Sequence, residues 1–202
     1  VKPILKKEIY NLEKNIINLK KEIKKILIIG GSQGASFFDE NITELIIEIS
    51  KKRNFEVIQQ ISNINNLSSI KNKYDKSNIN YKFIEFTNDS YELYDGIDLA
   101  ITRGGASTLS ELSFLNIPFI SIPLPSARDN HQFYNSEFYY KKNCCWLINQ
   151  KEYETNKFSK MIFEIFNDYQ NYNEKFKNLA EITKKNTWNN INNKIIEIID
   201  EN

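Results

Sequence analysis

The sequence predicts an α/β fold, a doubly wound, Rossmann-like parallel sheet of about six strands. Three observations support this prediction: short apolar runs alternate with helical patterns, those runs are apolar at consecutive positions, and two of them end in glycine turns. Continuous apolar runs are typical of strands that are buried on both faces of a sheet. Because no internal repeat or low-complexity linker interrupts the alternation, we expect residues 1–202 to form a single domain.

Six segments have the apolar, β-branched or aromatic composition of strands. The first of them, Ile26 to Ile29, is wholly apolar and ends at Gly30. Most of the chain between these segments is helical in pattern, which favours parallel pairing. The predicted strands are 26–29, 55–59, 81–86, 97–101, 117–122 and 144–148.

Helical patterns occupy the intervening segments. Ile42, Leu45, Ile46 and Ile49 repeat at i, i+3, i+4 and i+7, the spacing of an amphipathic helix that packs on a sheet. Residues 1–24 are predicted to be a connector that can include a short helix. Further helices are expected between the second and third strands, from Ser107, over 131–142, 153–166 and 169–199, and in the terminal segment 188–202.

Charge and cysteine content exclude several classes of protein. Lys and Arg number 27 against 26 Asp and Glu, so no net positive field attracts nucleic acid. Cys144 and Cys145 are adjacent and have neither a disulfide pattern nor metal-ligand spacing, so we expect buried strand residues in a reducing cytoplasm. No apolar run approaches the roughly 20 residues of a membrane span, so any membrane contact would be peripheral.

The stretch from Leu99 to Gln132 has the strongest functional signal. An apolar run meets the pair Gly104 and Gly105, a helix opens at Ser107, and a second apolar run and a polar loop follow. A glycine turn in such a βαβ unit places backbone N–H groups and a helix N-terminus where an anion can bind. The sequence therefore predicts an anionic ligand at this turn.

Glu111 lies one helical turn after Ser107, on the same face of the predicted helix. Helical side chains lean toward the N-terminus, so its carboxylate can point back toward the glycine turn. A carboxylate suits a vicinal diol such as a ribose better than it suits a phosphate. The alternative is that Glu111 is a first-turn acid favoured by the helix dipole.

Another glycine turn lies earlier in the chain, directly after the first predicted strand, with Gly30, Gly31 and Gly34. No Gly-Lys-Ser/Thr follows, so it is not a Walker A loop, and it lacks the full GxGxxG spacing of a dinucleotide site. The alternative is a tight turn that binds no ligand.

Three motifs occur in order: GGSQGA after the first strand, then RGGASTLSE, then DNHQFYN. Together they resemble the C-terminal, sugar-nucleotide-binding half of the MurG family, GT-B-type transferases that move GlcNAc from UDP-GlcNAc onto lipid I. The resemblance spans essentially the whole chain, from the connector to the last helix. It implies the C-terminal domain of a GT-B fold.

The resemblance implies roles for the RGGASTLSE motif. Glu111 would hold the ribose hydroxyls, in agreement with its position on the helix. Ala106, Ser107 and Thr108 would line the diphosphate and nucleotide, with backbone N–H groups that stabilise the charge of departing UDP. Gly105 would let the backbone approach the nucleotide closely. The resemblance implies no metal and no cofactor.

The remaining site residues are also assigned by the resemblance. Ser32 beside Gly31 would reach the α-phosphate, and the backbone near Phe86 and Thr87 would bind the uracil. His131 and Gln132 would contact the GlcNAc or its diphosphate.

Several of these residues have ordinary structural alternatives. His131, the single histidine, could instead be a helix-capping or core residue, and Arg103 could be a structural partner for a carboxylate, with no catalytic part. The aromatic residues of FYNSEFYY fit packing better than a sugar platform. The family has an arginine where this chain has Leu5, and Lys6 or Lys7 could replace it.

The resemblance implies a bacterial hexosyltransferase of peptidoglycan and cell-wall biosynthesis, and so of cell shape and division. UDP-GlcNAc would be the donor, and lipid I would bind through an N-terminal half outside this chain. That half would carry catalysis and the peripheral membrane contact, so the complete protein would be cytoplasmic, at the inner face of the cell membrane. The alternatives are a stand-alone UDP-GlcNAc-binding subunit of a two-chain lipid-linked-sugar transferase and a non-catalytic nucleotide-sugar-binding module.

Overall fold

The computed structural model describes residues 5–12, 22–30, 35–61, 64–77, 79–84, 93–184, 192–193 and 196–197. These residues form one six-stranded sheet in the order β3-β2-β1-β4-β5-β6, in which each neighbouring pair is parallel. The predicted doubly wound α/β fold is confirmed. The strands are β1 Lys25–Ile29, β2 Glu56–Gln60, β3 Asn80–Ile84, β4 Leu99–Thr102, β5 Phe119–Ser121 and β6 Cys145–Leu147.

Eight α-helices lie within the described residues. The π-helical turn Phe38–Ile42 joins the second and third of them. The predicted terminal helix over 188–202 falls almost entirely outside the described residues, as does most of the connector. The helices are α1 Lys7–Asn11, α2 Ala35–Phe37, α3 Thr43–Ser50, α4 Ile64–Asp75, α5 Ala106–Phe114, α6 His131–Lys141, α7 Thr155–Asn167 and α8 Tyr169–Thr183.

The sheet has a hydrophobic core on each face. Successive side chains of a strand point to opposite faces, so Ile26 and Ile28 of β1 join one cluster and Leu27 joins the other. Helices α3, α4 and α7 pack on the first face, and α1, α5 and α6 pack on the second. Both cysteines are buried in the second cluster, as predicted. No described helix has the length and apolar character needed to cross a membrane.

The strand order creates a crevice between β1 and β4. The chain runs outward from β1 through β2 to β3, and outward on the other side from β4 through β5 to β6. In open parallel sheets, ligands bind beyond the carboxyl ends of the strands where the order reverses in this way. Gly30 directly follows β1, and Gly104 follows β4 after Arg103. Both glycine turns therefore begin beside this crevice.

The opposite, amino-terminal edge of the sheet is fixed by Asp98. Its Oδ2 accepts hydrogen bonds from the backbone N–H groups of Lys24 at 2.7 Å and Lys25 at 2.9 Å. The buried hydroxyl of Tyr172 on α8 donates to the Asp98 carbonyl at 2.6 Å. These bonds align the start of β1 with the start of β4.

Candidate functional site

Helix α5 begins directly after the glycine turn of β4. Gly105 is its N-cap, with an extended backbone (φ −68°, ψ 128°), and Ala106 and Ser107 are exposed. The first N–H groups of an α-helix have no partner inside the helix, and a glycine N-cap has no side chain to satisfy them. This exposed N-terminus can therefore bind an anion.

Gly104 packs directly on the backbone of α6. A Cβ atom at Gly104 would lie 2.1 Å from the Gln132 carbonyl oxygen and 2.6 Å from Ser136 Oγ. Asn135 Nδ2 also donates to the Gly104 carbonyl at 3.0 Å. The close approach brings the N-terminus of α5 beside the first turn of α6.

Gly105 has no such steric requirement within the fold. Its φ is negative, and an added Cβ would meet Thr108 Oγ1 at 4.0 Å, an ordinary contact. Within the fold, the close backbone approach is made by its neighbour Gly104. The role of Gly105 toward a ligand stays a prediction.

A left-handed turn leads into α6. Asp129 and Asn130 both have φ of 52°, a conformation that Asp and Asn tolerate better than other residues with a Cβ. His131 follows, is exposed, and has Nδ1 2.7 Å from the Arg128 carbonyl oxygen. The carbonyl requires the proton on Nδ1, so Nε2 of the neutral ring is an acceptor. A core role for His131 is wrong, whereas a role at the helix start agrees with this contact.

Gln132 connects α6 to the loop that follows β5. Its Oε1 accepts from the backbone N–H of Leu124 at 3.0 Å. The Gln132 carbonyl accepts from Ser136 Oγ at 2.8 Å, and Ser136 Oγ lies 2.7 Å from Ser121 Oγ on β5. Because Oε1 is used inside the fold, a ligand contact by Gln132 would use Nε2.

The carboxylate of Glu111 lies on α5 in a half-buried position. It is the sixth residue of the helix, so the first-turn alternative is wrong. Its Oε2 accepts a hydrogen bond from Tyr94 Oη at 2.6 Å. Burial raises the pKa of Glu111 above the ordinary glutamate value, and the Tyr94 bond and the charge of Lys6 oppose that rise. The fold thus holds a carboxylate one and a half helical turns from the exposed N–H groups of α5.

Arg103, directly after β4, contacts residues of several neighbouring elements. Its guanidinium is almost fully buried, and Nη1 donates to the Ile122 carbonyl at 3.0 Å and to Gln150 Oε1. The Phe37 and Phe38 rings, which follow the first turn, lie 5.3 Å and 4.7 Å from its Cζ. Burial lowers the pKa of Arg103 to about 10. Arg103 thus holds the end of β4, the end of β5 and the end of α2 together.

Four predicted site residues lie outside the described residues: Gly31, Ser32, Phe86 and Thr87. The structure brings together the others, at the carboxyl edge of β4 and β5. Sequence reasoning missed Tyr94, which no local pattern indicates. Gly104 and Asn135 lie in the RGGASTLSE and DNHQFYN motifs, but the sequence did not predict the contact between them.

A shallow cavity lies at the opposite edge of the sheet. Its lining includes Lys24, Arg53 and Glu56, near the amino ends of β1 and β2. Parallel α/β sheets bind their ligands at the carboxyl edge, so we assign this cavity no function. Among the described residues, no three His, Cys, Asp or Glu side chains cluster so as to hold a metal ion.

Glu111→Gln is expected to stabilise the fold at neutral pH. A carboxyl whose pKa is raised by folding favours the protonated form, so its stability contribution decreases as pH rises through that raised pKa. Thermal unfolding from pH 4 to pH 8 measures the effect, which should vanish toward the acidic end. Glu137→Gln, in the partly exposed pair with Lys141 at 3.0 Å, is the control and should show no such gain. A Glu111→Gln variant that is less stable at neutral pH would contradict this account.

Residues 25–191 match the model of the glycosyltransferase family 28 C-terminal domain. The chain is 42% identical over 199 residues to the UDP-N-acetylglucosamine--N-acetylmuramyl-(pentapeptide) pyrophosphoryl-undecaprenol N-acetylglucosamine transferase of Pelagibacter ubique, covering 98% of this chain and 55% of that protein. It is 39% identical over 163 residues to the protein of the same name from Rickettsia bellii, covering 80% and 46%. The chain spans about half the length of the curated relatives it matches.

The fold is also similar to a solved structure. The crystal structure of MurG from Acinetobacter baumannii superposes with a TM-score of 0.68 at 20% identity. The match covers 89% of this chain and 49% of that one. At this identity, the likeness shows the shared fold.

Proposed function

Because the chain belongs to the glycosyltransferase family 28 C-terminal domain family, we propose that it is the donor-binding half of a UDP-GlcNAc-dependent hexosyltransferase. The acceptor of that enzyme would be lipid I, as the printed names of the relatives indicate for those proteins. The enzyme would act in peptidoglycan biosynthesis. The three-motif resemblance to the MurG family agrees with the family match and with both relatives.

One observation carries the proposal: an exposed helix N-terminus and a positioned carboxylate lie on the same helix beside the crevice. The N-terminus of α5 offers N–H groups to the diphosphate, and Glu111 offers oxygens to the ribose hydroxyls. Glu111 lies five positions after Ala106, which is about 7.5 Å along the helix axis. That separation fits the distance between the diphosphate and the ribose diol of one nucleotide.

The same geometry would favour departure of UDP. Negative charge grows on the diphosphate as the bond to the sugar breaks, and fixed N–H dipoles stabilise that charge without reorganisation. The step would need no metal ion, because the helix N-terminus supplies the positive end of a dipole. Gly105, Ser107 and Thr108 would lie along the diphosphate.

The other ligand contacts would come from the start of α6, from the first glycine turn and from the segment after β3. His131 and the Nε2 amide of Gln132 would bind the GlcNAc or its phosphates at the start of α6. Gly31 and Ser32 would contact the α-phosphate from the first turn, and the backbone at Phe86 and Thr87 would bind the uracil. The acceptor, the catalytic base and the contact with the inner face of the membrane would belong to an N-terminal half.

Glu111→Ala is expected to weaken UDP binding by about 1.5–3 kcal/mol, the range for hydrogen bonds to a charged group. Calorimetric titration of the chain with UDP and UDP-GlcNAc in the presence of EDTA measures the affinity. The matched control is Glu44→Ala, which removes an exposed carboxylate that pairs with Lys73 at 3.0 Å on α3. Binding that is lost on chelation, or that is equal in both variants, would count against the proposed site.

A further inference from the structure

Tyr94 reaches the carboxylate of Glu111 from a separate part of the chain. It lies on a short helical turn just before β4, and its side chain is 5% exposed. The ring packs in the hydrophobic cluster on the α5 and α6 face of the sheet. Its hydroxyl donates to Glu111 Oε2 at 2.6 Å. A buried, rigid side chain thus fixes one oxygen of a carboxylate that lies on another element.

A carboxylate that binds a vicinal diol needs a defined orientation. Two hydroxyls of a ribose point in fixed directions, whereas a glutamate side chain on a helix surface samples several rotamers. Ordering such a side chain during binding reduces affinity, and an orientation fixed in advance avoids that loss. The hydrogen bond from Tyr94 restricts Glu111 in this manner before any ligand arrives.

We propose that Tyr94 is a positioning residue that fixes the Glu111 carboxylate and so sets the preference of this site for a ribose diol over a deoxyribose. The inference rests on the proposed function, since it assumes that a nucleoside diphosphate binds at α5. It assigns Tyr94 no contact with the ligand. Tyr94 acts only through Glu111.

The protonation states of the groups around Glu111 agree with this role. Burial and the nearby carboxylate raise the pKa of Tyr94 far above the ordinary tyrosine value, so its hydroxyl stays a donor. Lys6, in the segment that precedes α1, lowers the pKa of Glu111 through its charge, and the Tyr94 hydrogen bond does the same. Both groups therefore favour the ionised carboxylate, which accepts hydrogen bonds from the hydroxyls of a diol.

The test compares two ligands that differ only in the diol: UDP and its 2′,3′-dideoxy analogue. For the wild-type chain, UDP should bind more tightly than the analogue. Tyr94→Phe keeps the ring and removes the hydroxyl, so it should weaken UDP binding about 3- to 10-fold, the scale of one hydrogen bond. Binding of the dideoxy analogue should be unchanged, and in a Glu111→Ala background Tyr94→Phe should have no further effect on UDP.

Tyr172→Phe is the matched control. It also removes one buried tyrosine hydroxyl, whose 2.6 Å bond to the Asp98 carbonyl lies at the opposite edge of the sheet. Thermal unfolding of both variants shows whether they fold equally well, and Tyr172→Phe should bind both ligands as the wild type does. A second readout is the pH dependence of UDP affinity, whose acidic limb should move to higher pH in Tyr94→Phe because the Glu111 pKa rises.

The possible outcomes separate the two proposals. If Tyr94→Phe weakens the binding of both ligands equally, so that the ratio of their affinities is unchanged, the inference is overturned and Tyr94 is only a packing residue. If the wild-type chain binds neither ligand, the proposed function fails and this inference fails with it. The inference is supported if the ratio of UDP affinity to analogue affinity falls in Tyr94→Phe but not in Tyr172→Phe, and if the acidic limb of UDP binding moves to higher pH.

Discussion

Gly104→Ala is expected to destabilise the folded chain by about 2–4 kcal/mol, a large effect for the addition of one methyl group. The new Cβ would lie 2.1 Å from the Gln132 carbonyl oxygen and 2.7 Å from its carbonyl carbon, both backbone atoms of α6. A flexible side chain could move away, but a helix backbone cannot do so without separating α6 from β5. Urea unfolding followed by circular dichroism measures the change.

Gly105→Ala is the control for this prediction. The adjacent glycine has a negative φ, and its added Cβ meets Thr108 Oγ1 at 4.0 Å, so the variant should be within about 0.5 kcal/mol of the wild type. Equal losses in the two variants would mean that the contact between Gly104 and α6 is not as close as the structure places it. A large loss in Gly104→Ala alone supports the close approach.

Arg103→Met is expected to destabilise the fold by about 2–4 kcal/mol, because it removes the donor of two buried hydrogen bonds. The Ile122 carbonyl and Gln150 Oε1 both accept from Nη1, and the cation lies over the Phe38 ring at 4.7 Å. Methionine keeps an unbranched, flexible stem but supplies neither a donor nor a charge. Urea unfolding measures the loss, and UDP affinity should fall as well, since Arg103 directly precedes the glycine turn that leads into α5.

Arg128→Met serves as the matched control. The side chain of Arg128 is 92% exposed and lies 3.5 Å from Asp129 Oδ2 on the surface. Exposed ion pairs contribute little to stability, so this variant should change the free energy of unfolding by less than about 0.5 kcal/mol. If Arg103→Met lowers the free energy of unfolding as little as Arg128→Met does, the buried contacts of Arg103 do not stabilise the fold.

Most of the fold could be predicted from local patterns. The strands overlap the apolar runs, since a strand buried on both faces has few polar positions. The differences lie at the ends: the predicted strand 117–122 is only Phe119–Ser121, and the predicted helix 153–166 begins at Thr155. Apolar composition marks burial, and it does not show where the hydrogen bonds of the sheet begin.

The site was only partly predictable. Spacing along one helix can be read from the sequence, whereas contacts between separate elements cannot. The spacing from Ser107 to Glu111 is a property of one helix, so the sequence predicted the position of the carboxylate. The hydrogen bond from Tyr94 to Glu111 joins two residues that are 17 positions apart on separate elements, and no spacing rule indicates it. The contact of Gly104 with α6 likewise depends on how two helices pack.

The central claim is that the N-terminus of α5 binds the diphosphate of a nucleotide. Two-dimensional ¹H–¹⁵N NMR of the labelled chain, with and without UDP, tests it most directly. We predict that the amide signals of Ala106, Ser107 and Thr108 shift on addition of UDP, while those of Lys24 and Arg53 at the amino edge of the sheet stay unchanged. Shifts confined to the amino edge, or an unchanged α5 N-terminus at saturating UDP, would contradict the claim.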